Sequence, residues 1–326
     1  MTLEHSLYDA VFAAPDDDGP REALAAFLAA RGDLRGELIT LQLAAARAGK
    51  ASRVEAARVK ALLAEHEDEW LEPLRGTIVK RTIRWERGFP VAGRLALQKT
   101  IAAQEALIGL RSLATLRALT LEPPNSVLPI AWLERFLFET PLRRLRALHD
   151  MRRGLLPRML REREPFAIEV LDVATEGGGG VEGERHERAL ADTLEEAFAV
   201  ATGLPRLREL TFSLNHAFGR DPATYAWLWS SQVGRKLETL RMVLGVHSLA
   251  AWHDALTRHA SRISLQRLVF FGRNELVLER TDAGFSRLVV RLSPELYPKE
   301  RENVEAALRD LGGRVSVEHE LPRKRS

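Results

Sequence analysis

Residues 207–215 read L-x-x-L-x-L-x-x-N, with Phe212 at the sixth position, and the pattern returns in looser form along much of the chain. The copies are Ala92/Leu95/Leu97, Leu116/Leu119/Leu121, Leu145/Leu148, Ile168/Leu171/Val173, Leu237/Leu240/Met242 and Leu265/Leu268/Phe270. Their first residues lie 24, 29, 23, 39, 30 and 28 positions apart, so most intervals stay close to one repeat length. Positions one, four and six of such a unit point into one thin layer between a strand and the segment returning from it. A single unit cannot close that layer. Stacked units can, which predicts a parallel sheet on one side and helices on the other. The longest interval holds the glycine run at 177–180 and Gly183, read as a flexible insertion.

The motif resembles the leucine-rich repeat. That resemblance implies an α/β fold, a solenoid with a curved parallel sheet and convex helices, over residues 76–272. Asparagine at position nine typically satisfies backbone groups of the turn leaving the strand, and only Asn215 fits it well. Between the strands, 98–113, 131–138, 186–201, 225–233 and 248–259 carry apolar spacing suited to helices.

Residues 1–75 have a different period. Leu3, Leu7 and Val11 recur at helical spacing, and Asp16-Asp17-Asp18-Gly19-Pro20 then breaks the chain. Asp18 or Gly19 can cap a second helix with Pro20 in its first turn, and Leu24, Phe27 and Leu28 point inward. Asp33 can cap a third carrying Leu38, Leu41 and Ala45, and 54–70 reads as a long charged fourth. The expectation is a small N-terminal helical bundle over 1–75. Alternating β-branched residues at 77–85 predict a strand, interrupted by Arg87-Gly88-Phe89-Pro90 before another at 91–97. Toward the C-terminus, 275–279 and 287–292 can pair as a hairpin through Thr281-Asp282-Ala283-Gly284. A helix at 299–311 and a strand at 315–319 complete an α+β cap over 273–326, with a short basic tail, Arg323-Lys324-Arg325.

Two blocks carry a second resemblance. Leu7-Tyr8-Asp9-Ala10-Val11-Phe12-Ala13-Ala14-Pro15-Asp16-Asp17-Asp18 is followed by Ala26-Phe27-Leu28-x-x-Arg31-Gly32-Asp33-x-Arg35-Gly36-Glu37-Leu38-Ile39-x-Leu41-Gln42. Together they resemble the repeat-companion domain that precedes leucine-rich repeats in planctomycete and myxobacterial proteins. The match covers roughly residues 5–43. Arg87-Gly88-Phe89 resembles the R-G-F element that opens the repeat region in similar proteins. Phe27 stands where that family commonly has tryptophan. The resemblance implies the architecture of a bacterial leucine-rich-repeat protein and brings no catalytic residues with it.

The chain has no cysteine, so disulfides, a thiolate nucleophile and thiolate zinc sites are excluded. This also closes the branch of repeat-bearing ubiquitin ligases that use a cysteine. The nine histidines form no metal pattern: Trp70 stands where His66-Glu67 would need its second histidine, and His253 and His259 fall on different faces of a helix. The glycine run lacks Gly-Lys-Ser/Thr and sits among Glu176, Glu182 and Glu184, which repel phosphate. No serine occupies G-x-S-x-G. The expectation is therefore no catalytic residue, no metal and no cofactor. No window approaches 18 uninterrupted apolar residues, so no transmembrane segment is expected. Glu4 and Asp9 near the start argue against a secretory signal, and a cytoplasmic location is expected.

Two candidate surfaces remain. Residues flanking motif positions four and six point away from the leucine layer. They are Thr120, Glu122, His149 (with Met151 beyond it), Glu209, Thr211, Ser213, Thr239, Arg241, Val269 and Phe271. Val243 and Phe271 are apolar on that face and serve either a ligand or the C-terminal cap folded over them. The second surface is residues 143–163, where Arg143, Arg144, Arg146, Arg152, Arg153, Arg158, Arg161 and Arg163 face only Asp150 and Glu162. Such a run can dock nucleic acid or another anionic surface. Against this, arginine supplies 41 of the 48 basic residues, so a solvated face over buried leucines explains the run as well. Net charge is +3, with −5 in residues 1–75 and +8 in the rest. The favoured function is a non-enzymatic protein–protein interaction module, scaffold or adaptor, using the concave sheet face toward a protein partner. Binding of nucleic acid through 143–163 is the alternative, and regulation of a small GTPase is a weaker one resting on fold analogy.

Overall fold

A computed structural model describes residues 2–74, 76–96, 98, 100–121, 128–174, 181–212, 214, 221–242, 249–271, 274–293 and 297–320. The protein is α/β. Among the described residues there are twelve α-helices and eleven strands, with both parallel and antiparallel pairing. Two compact units divide the chain, Met1–Leu148 and His149–Ser326. The division falls inside 76–272, because the first strands pack with the N-terminal helices.

In the N-terminal unit, α1 (Leu3–Ala13) is capped by the Thr2 side chain, which accepts the His5 N–H. Asp17, one residue earlier than expected, accepts the Gly19 N–H at 2.9 Å where α2 (Gly19–Ala30) begins. Asp33 caps α3 (Leu34–Ala48), and a reciprocal Ser52–Glu55 capping box starts α4 (Arg53–Trp70). Gly36 lets α2 and α3 approach closely, since a Cβ there would sit 2.7 Å from the Ala25 carbonyl oxygen and the Ala29 nitrogen. Strand β1 (Arg84–Glu86) pairs antiparallel with β2 (Phe89–Arg94). The two-residue connection, Arg87-Gly88, has φ of 53° and 80°, the positive values a type I′ hairpin turn requires. This turn delivers Phe89 into the helical core, among Val11, Leu24, Ala25, Leu28, Ile39 and Leu43. The Gly88 N–H donates to Gln42 Oε1 at 2.7 Å, and Arg87 pairs with Asp18 at 3.0 Å. The R-G-D-x-R-G-E and R-G-F blocks thus meet at one joint.

The continuous strand expected at 77–85 is not formed: Ile78 makes a single bridge to Leu95, and a 3-10 turn at Lys80–Thr82 precedes β1. The helix expected at 98–113 shrinks to α5 (Ile101–Glu105), followed by a 3-10 turn at Arg111–Thr115. Past its C-cap Ala106 the chain runs in tight turns to Gly109, at φ 78°. Strand β3 (Ala118–Thr120) is parallel to β2, and α6 (Ile130–Glu139) buries Trp132, Leu133, Phe136 and Leu137. Strand β4 (Ala147–Met151) lies where the two units divide.

In the C-terminal unit, which starts at His149 within β4, the first helix is α7 (Leu156–Arg161), a short helix inside the arginine run that was not foreseen. Next come β5 (Val170–Val173), α8 (Val181–Ala199), β6 (Glu209–Thr211), α9 (Trp227–Ser230), α10 (Gln232–Lys236), β7 (Thr239–Met242), α11 (Leu249–His259) and β8 (Arg267–Phe271). Strands β5 through β8 are parallel neighbours. Leu171, Val173, Leu210, Phe212, Leu240, Met242, Leu268 and Phe270 are all buried on one side. Helical aromatics cover them: Trp227 stacks on Phe198 at 4.1 Å and meets Phe212 edge-on, and Trp252 meets Phe270 edge-on at 6.3 Å. The Leu214 N–H, at the strand exit, donates to the Tyr225 hydroxyl at 3.2 Å. Leu97, Asn215, the glycines at 177–180 and the tail at 321–326 lie outside the described residues.

The hairpin forms as expected from β9 (Glu275–Thr281) and β10 (Gly284–Arg291), followed by α12 (Pro298–Leu311) and β11 (Ser316–His319). It does not fold over the sheet. Strand β9 adds antiparallel to β8, β10 to β9, and β11 parallel to β10, so the cap extends the sheet edgewise.

Replacing Phe89 with alanine empties the centre of the helical core and is expected to cost about 3–5 kcal/mol. Gly88→Ala places a methyl inside Ile39 on a backbone of positive φ and also destabilises. Urea unfolding followed by circular dichroism measures both. Unchanged midpoints would remove the joint from its structural role.

Candidate functional site

The face of the C-terminal sheet opposite the leucines is built by register. Asp172, Thr211, Arg241, Val269 and Val277 lie side by side on successive strands. The neighbouring row is Val170, Glu209, Thr239, Arg267 and Glu279. At the β4 end, Asp150 adopts φ 57°, a left-handed conformation in mid-strand. That residue interrupts the two-residue alternation: His149 and Asp150 are both half-buried, and Met151 turns into the core. Met151 was expected to face outward and does not, for this reason.

His149 Nδ1 stands 4.0 Å from Asp172 Oδ2, and Thr211 lies beside Asp172 on the neighbouring strand. Burial, then the nearby Asp150, pushes the Asp172 pKa above the usual carboxylate range; His149, Thr211 and Arg241 pull the other way without reversing it. Arg241 Nη2 reaches Glu275 Oε2 at 3.4 Å, and its guanidinium lies 5.4 Å from the Phe271 ring centre. Glu275 also pairs with Arg291, which reaches Glu320 at 2.8 Å. Arg287 joins Glu279 at 2.9 Å and Glu318 at 2.6 Å. Acidic and polar groups therefore concentrate at β4–β6, and paired charges with an apolar strip at β7–β11.

The expected surface residues divide accordingly. His149, Glu209, Thr211 and Arg241 are half-buried on one face of the C-terminal unit. Thr120 is half-buried in the N-terminal unit. Val269 is 3% exposed and Thr239 3%, so neither offers a surface to a partner. Val269 instead packs with Val277 and Val289, and Phe271 lies against that cluster beside the hairpin. Lateral extension of the sheet buries them, where a solvent-facing row was expected. Glu122, Ser213 and Val243 lie outside the described residues. Asp150 and Asp172 were missed as face residues. Asp172 was legible from its place between Leu171 and Val173, whereas the backbone turn at Asp150 leaves no sequence signal.

The arginine run is divided between the two units. Arg143, Arg144 and Arg146 belong to the N-terminal unit and Arg152, Arg153, Arg158, Arg161 and Arg163 to the C-terminal unit. Arg144 donates to Asp16 at 2.9 Å, Asp16 also accepts from Arg117 at 2.8 Å, and Arg143 stacks on Phe138. Burial raises the Asp16 pKa, but the Arg144 hydrogen bond and the charges of Arg117, Arg144 and Arg146 bring it below the usual range. Arg153 is 4% exposed, and Arg161 meets Glu196 at 3.4 Å. The leucines behind the run, Leu145, Leu148, Leu155, Leu156 and Leu160, are all buried.

Among the described residues no helix is long and apolar enough to cross a membrane, and no group of three His, Asp or Glu side chains is placed to hold a metal. No protein-family model, no curated protein and no solved structure matches the chain.

The raised pKa of Asp172 sets a sign. The unfolded carboxylate ionises at lower pH than the folded one, so stability falls as pH rises through that window and the penalty is complete above it. Asp172→Asn removes the penalty: the thermal midpoint should rise at neutral pH, with the gain gone in acid below the unfolded pKa. A gain that persists in acid would refute the assignment to this carboxylate.

Proposed function

We propose that this chain is a non-enzymatic interaction module. In this reading it is a leucine-rich-repeat solenoid of bacterial type with a repeat-companion domain at its N-terminus, working in the cytoplasm as a scaffold or adaptor. A protein partner docks on the sheet face opposite the leucine layer, centred on His149, Asp172, Glu209, Thr211 and Arg241.

One observation carries the reading. Half-buried groups of both charge signs stand in register on adjacent parallel strands, on the side of the sheet the helical aromatics do not cover. A rigid sheet holds such groups at fixed spacing, which lowers the ordering cost of binding. Mixed charge favours a partner with complementary charges over a uniformly anionic polymer. Within the arginine run Arg144 and Arg161 are paired to acids and Arg153 is buried, which favours the protein partner over nucleic acid. The meeting of the R-G-D-x-R-G-E and R-G-F blocks at Phe89 supports a structural role for the N-terminal domain.

Affinity capture from the native host tests this with three baits: wild type, Thr211→Arg/Arg241→Glu on the face, and Arg158→Glu on α7. Proteins retained by wild type and Arg158→Glu but lost by the face variant are the expected result, with thermal midpoints of all three alike. Equal capture by the face variant would exclude this surface. Loss with Arg158→Glu alone would return the arginine run to first place.

A further inference from the structure

A cavity of about 510 Å³ opens in the N-terminal unit beside α1, the start of α3, the end of α4 and the Phe89-Pro90 segment. Tyr8, Phe12, Trp70 and Leu110 give it an apolar wall. Two of its lining residues are buried polar groups with unmet bonding capacity. Arg35, 7% exposed, lies 5.2 Å from the Tyr8 ring centre and 4.9 Å from that of Phe89. Its Nη2 reaches the Gly88 carbonyl only at 3.5 Å and its Nε has no acceptor. Among the described residues no carboxylate forms an ion pair with it. Ser112, 8% exposed, also has a hydroxyl without a hydrogen-bond partner.

A buried guanidinium with no direct ion pair, eased only by Tyr8 and the charges of Asp33 and Glu69, is costly, and an entering carboxylate offsets that cost with charge-assisted hydrogen bonds. Burial holds the Arg35 pKa below its ordinary value, with Tyr8, Asp33 and Glu69 only partly compensating. Five acids, Glu4, Asp9, Asp33, Glu69 and Glu72, also line the cavity, and Glu69 stands 3.6 Å from His66 Nδ1. Glu4 pairs with Arg31, Asp9 with Arg111 at 2.9 Å, and Asp33 accepts the Arg35 backbone N–H at 2.8 Å. Their charge also limits the ligand: a doubly charged phosphate meets repulsion that a single carboxylate, matched to one guanidinium, largely escapes.

We propose that this cavity binds a small monocarboxylate with an apolar body, the carboxylate on Arg35 and Ser112 and the body against Tyr8, Phe12, Trp70 and Leu110. The volume falls within the range that holds small-molecule ligands. The site is separate from the sheet face of the C-terminal unit and does not depend on it.

Isothermal titration of the full chain with 3-phenylpropionate and, separately, 3-phenylpropylamine tests the charge assignment directly. The acid binds and the amine, equal in apolar body, does not. Arg35→Gln weakens the acid by about tenfold or more, the equivalent of one charge-assisted hydrogen bond. Leu110→Trp fills the cavity and abolishes binding while the thermal midpoint stays close to wild type. Should Arg35→Gln fail to fold, Leu110→Trp and the two-ligand comparison decide the matter alone. Absence of binding by the acid, equal binding of the amine, or undiminished binding by Leu110→Trp would each overturn the proposal.

Discussion

Alternation of side chains along a strand gives every rung of this sheet two environments at once. In the C-terminal unit one side is closed by Leu171, Leu210, Leu240 and Leu268, all buried against helical aromatics. Side chains that point the other way are then held at strand spacing whatever their chemistry. The row Asp172, Thr211, Arg241 exists because the leucine layer exists. Its members need no network of their own to be placed, which leaves Asp172 free to sit near a second carboxylate at a raised pKa. Where the row reaches β8 it becomes Val269, and the added hairpin buries it sideways with Val277 and Val289. The same rule therefore produces a polar surface at one end of the unit and an apolar strip at the other.

The N-terminal unit depends on a different device, a hairpin turn used as a plug. Arg87 and Gly88 both take positive φ, and Phe89 enters the helical core immediately after them. Gly36 and Gly88 are fixed by backbone approach: a side chain at either would collide with α2 or with Ile39. The acidic turn finds its partners in the strand segment, Asp18 with Arg87 and Asp16 with Arg117. These contacts explain why the residues that define the resemblance lie so far apart in sequence. They are two halves of one joint.

Much of this was legible in the sequence. Helical spacing at Leu3, Leu7 and Val11, the Asp33 cap, the leucine copies among the described residues and the hairpin at 281–284 all report local chemistry, and all have counterparts in the structure. The misreadings arose where tertiary packing overrode a local signal. The β-branched run at 77–85 forms one bridge and a 3-10 turn, and the apolar spacing at 98–113 supports only a five-residue helix. Asp150 carries no composition cue for its left-handed backbone, so the shift that buries Met151 was invisible. Thr239 and Val269 obey the alternation yet are buried, because alternation names a side of the sheet and says nothing about what lies beside it. For the arginine run, sequence already favoured the compositional reading, because arginine is the chain's default cation; the Asp16 and Glu196 pairings and buried Arg153 agree with it.

The central claim is that the polar side of the C-terminal sheet, rather than its helices, is the binding surface. Carboxylate footprinting of the chain alone and in its captured complex addresses that claim at single side chains. Asp172, Glu209 and Glu275 report the sheet face, and Glu195 and Glu196 on α8 report the helical side. Reduced labelling at Asp172 and Glu209 in the complex, with Glu195 and Glu196 unchanged, is the result this account predicts. Protection confined to Glu195 and Glu196 would place the partner on the helices and contradict it.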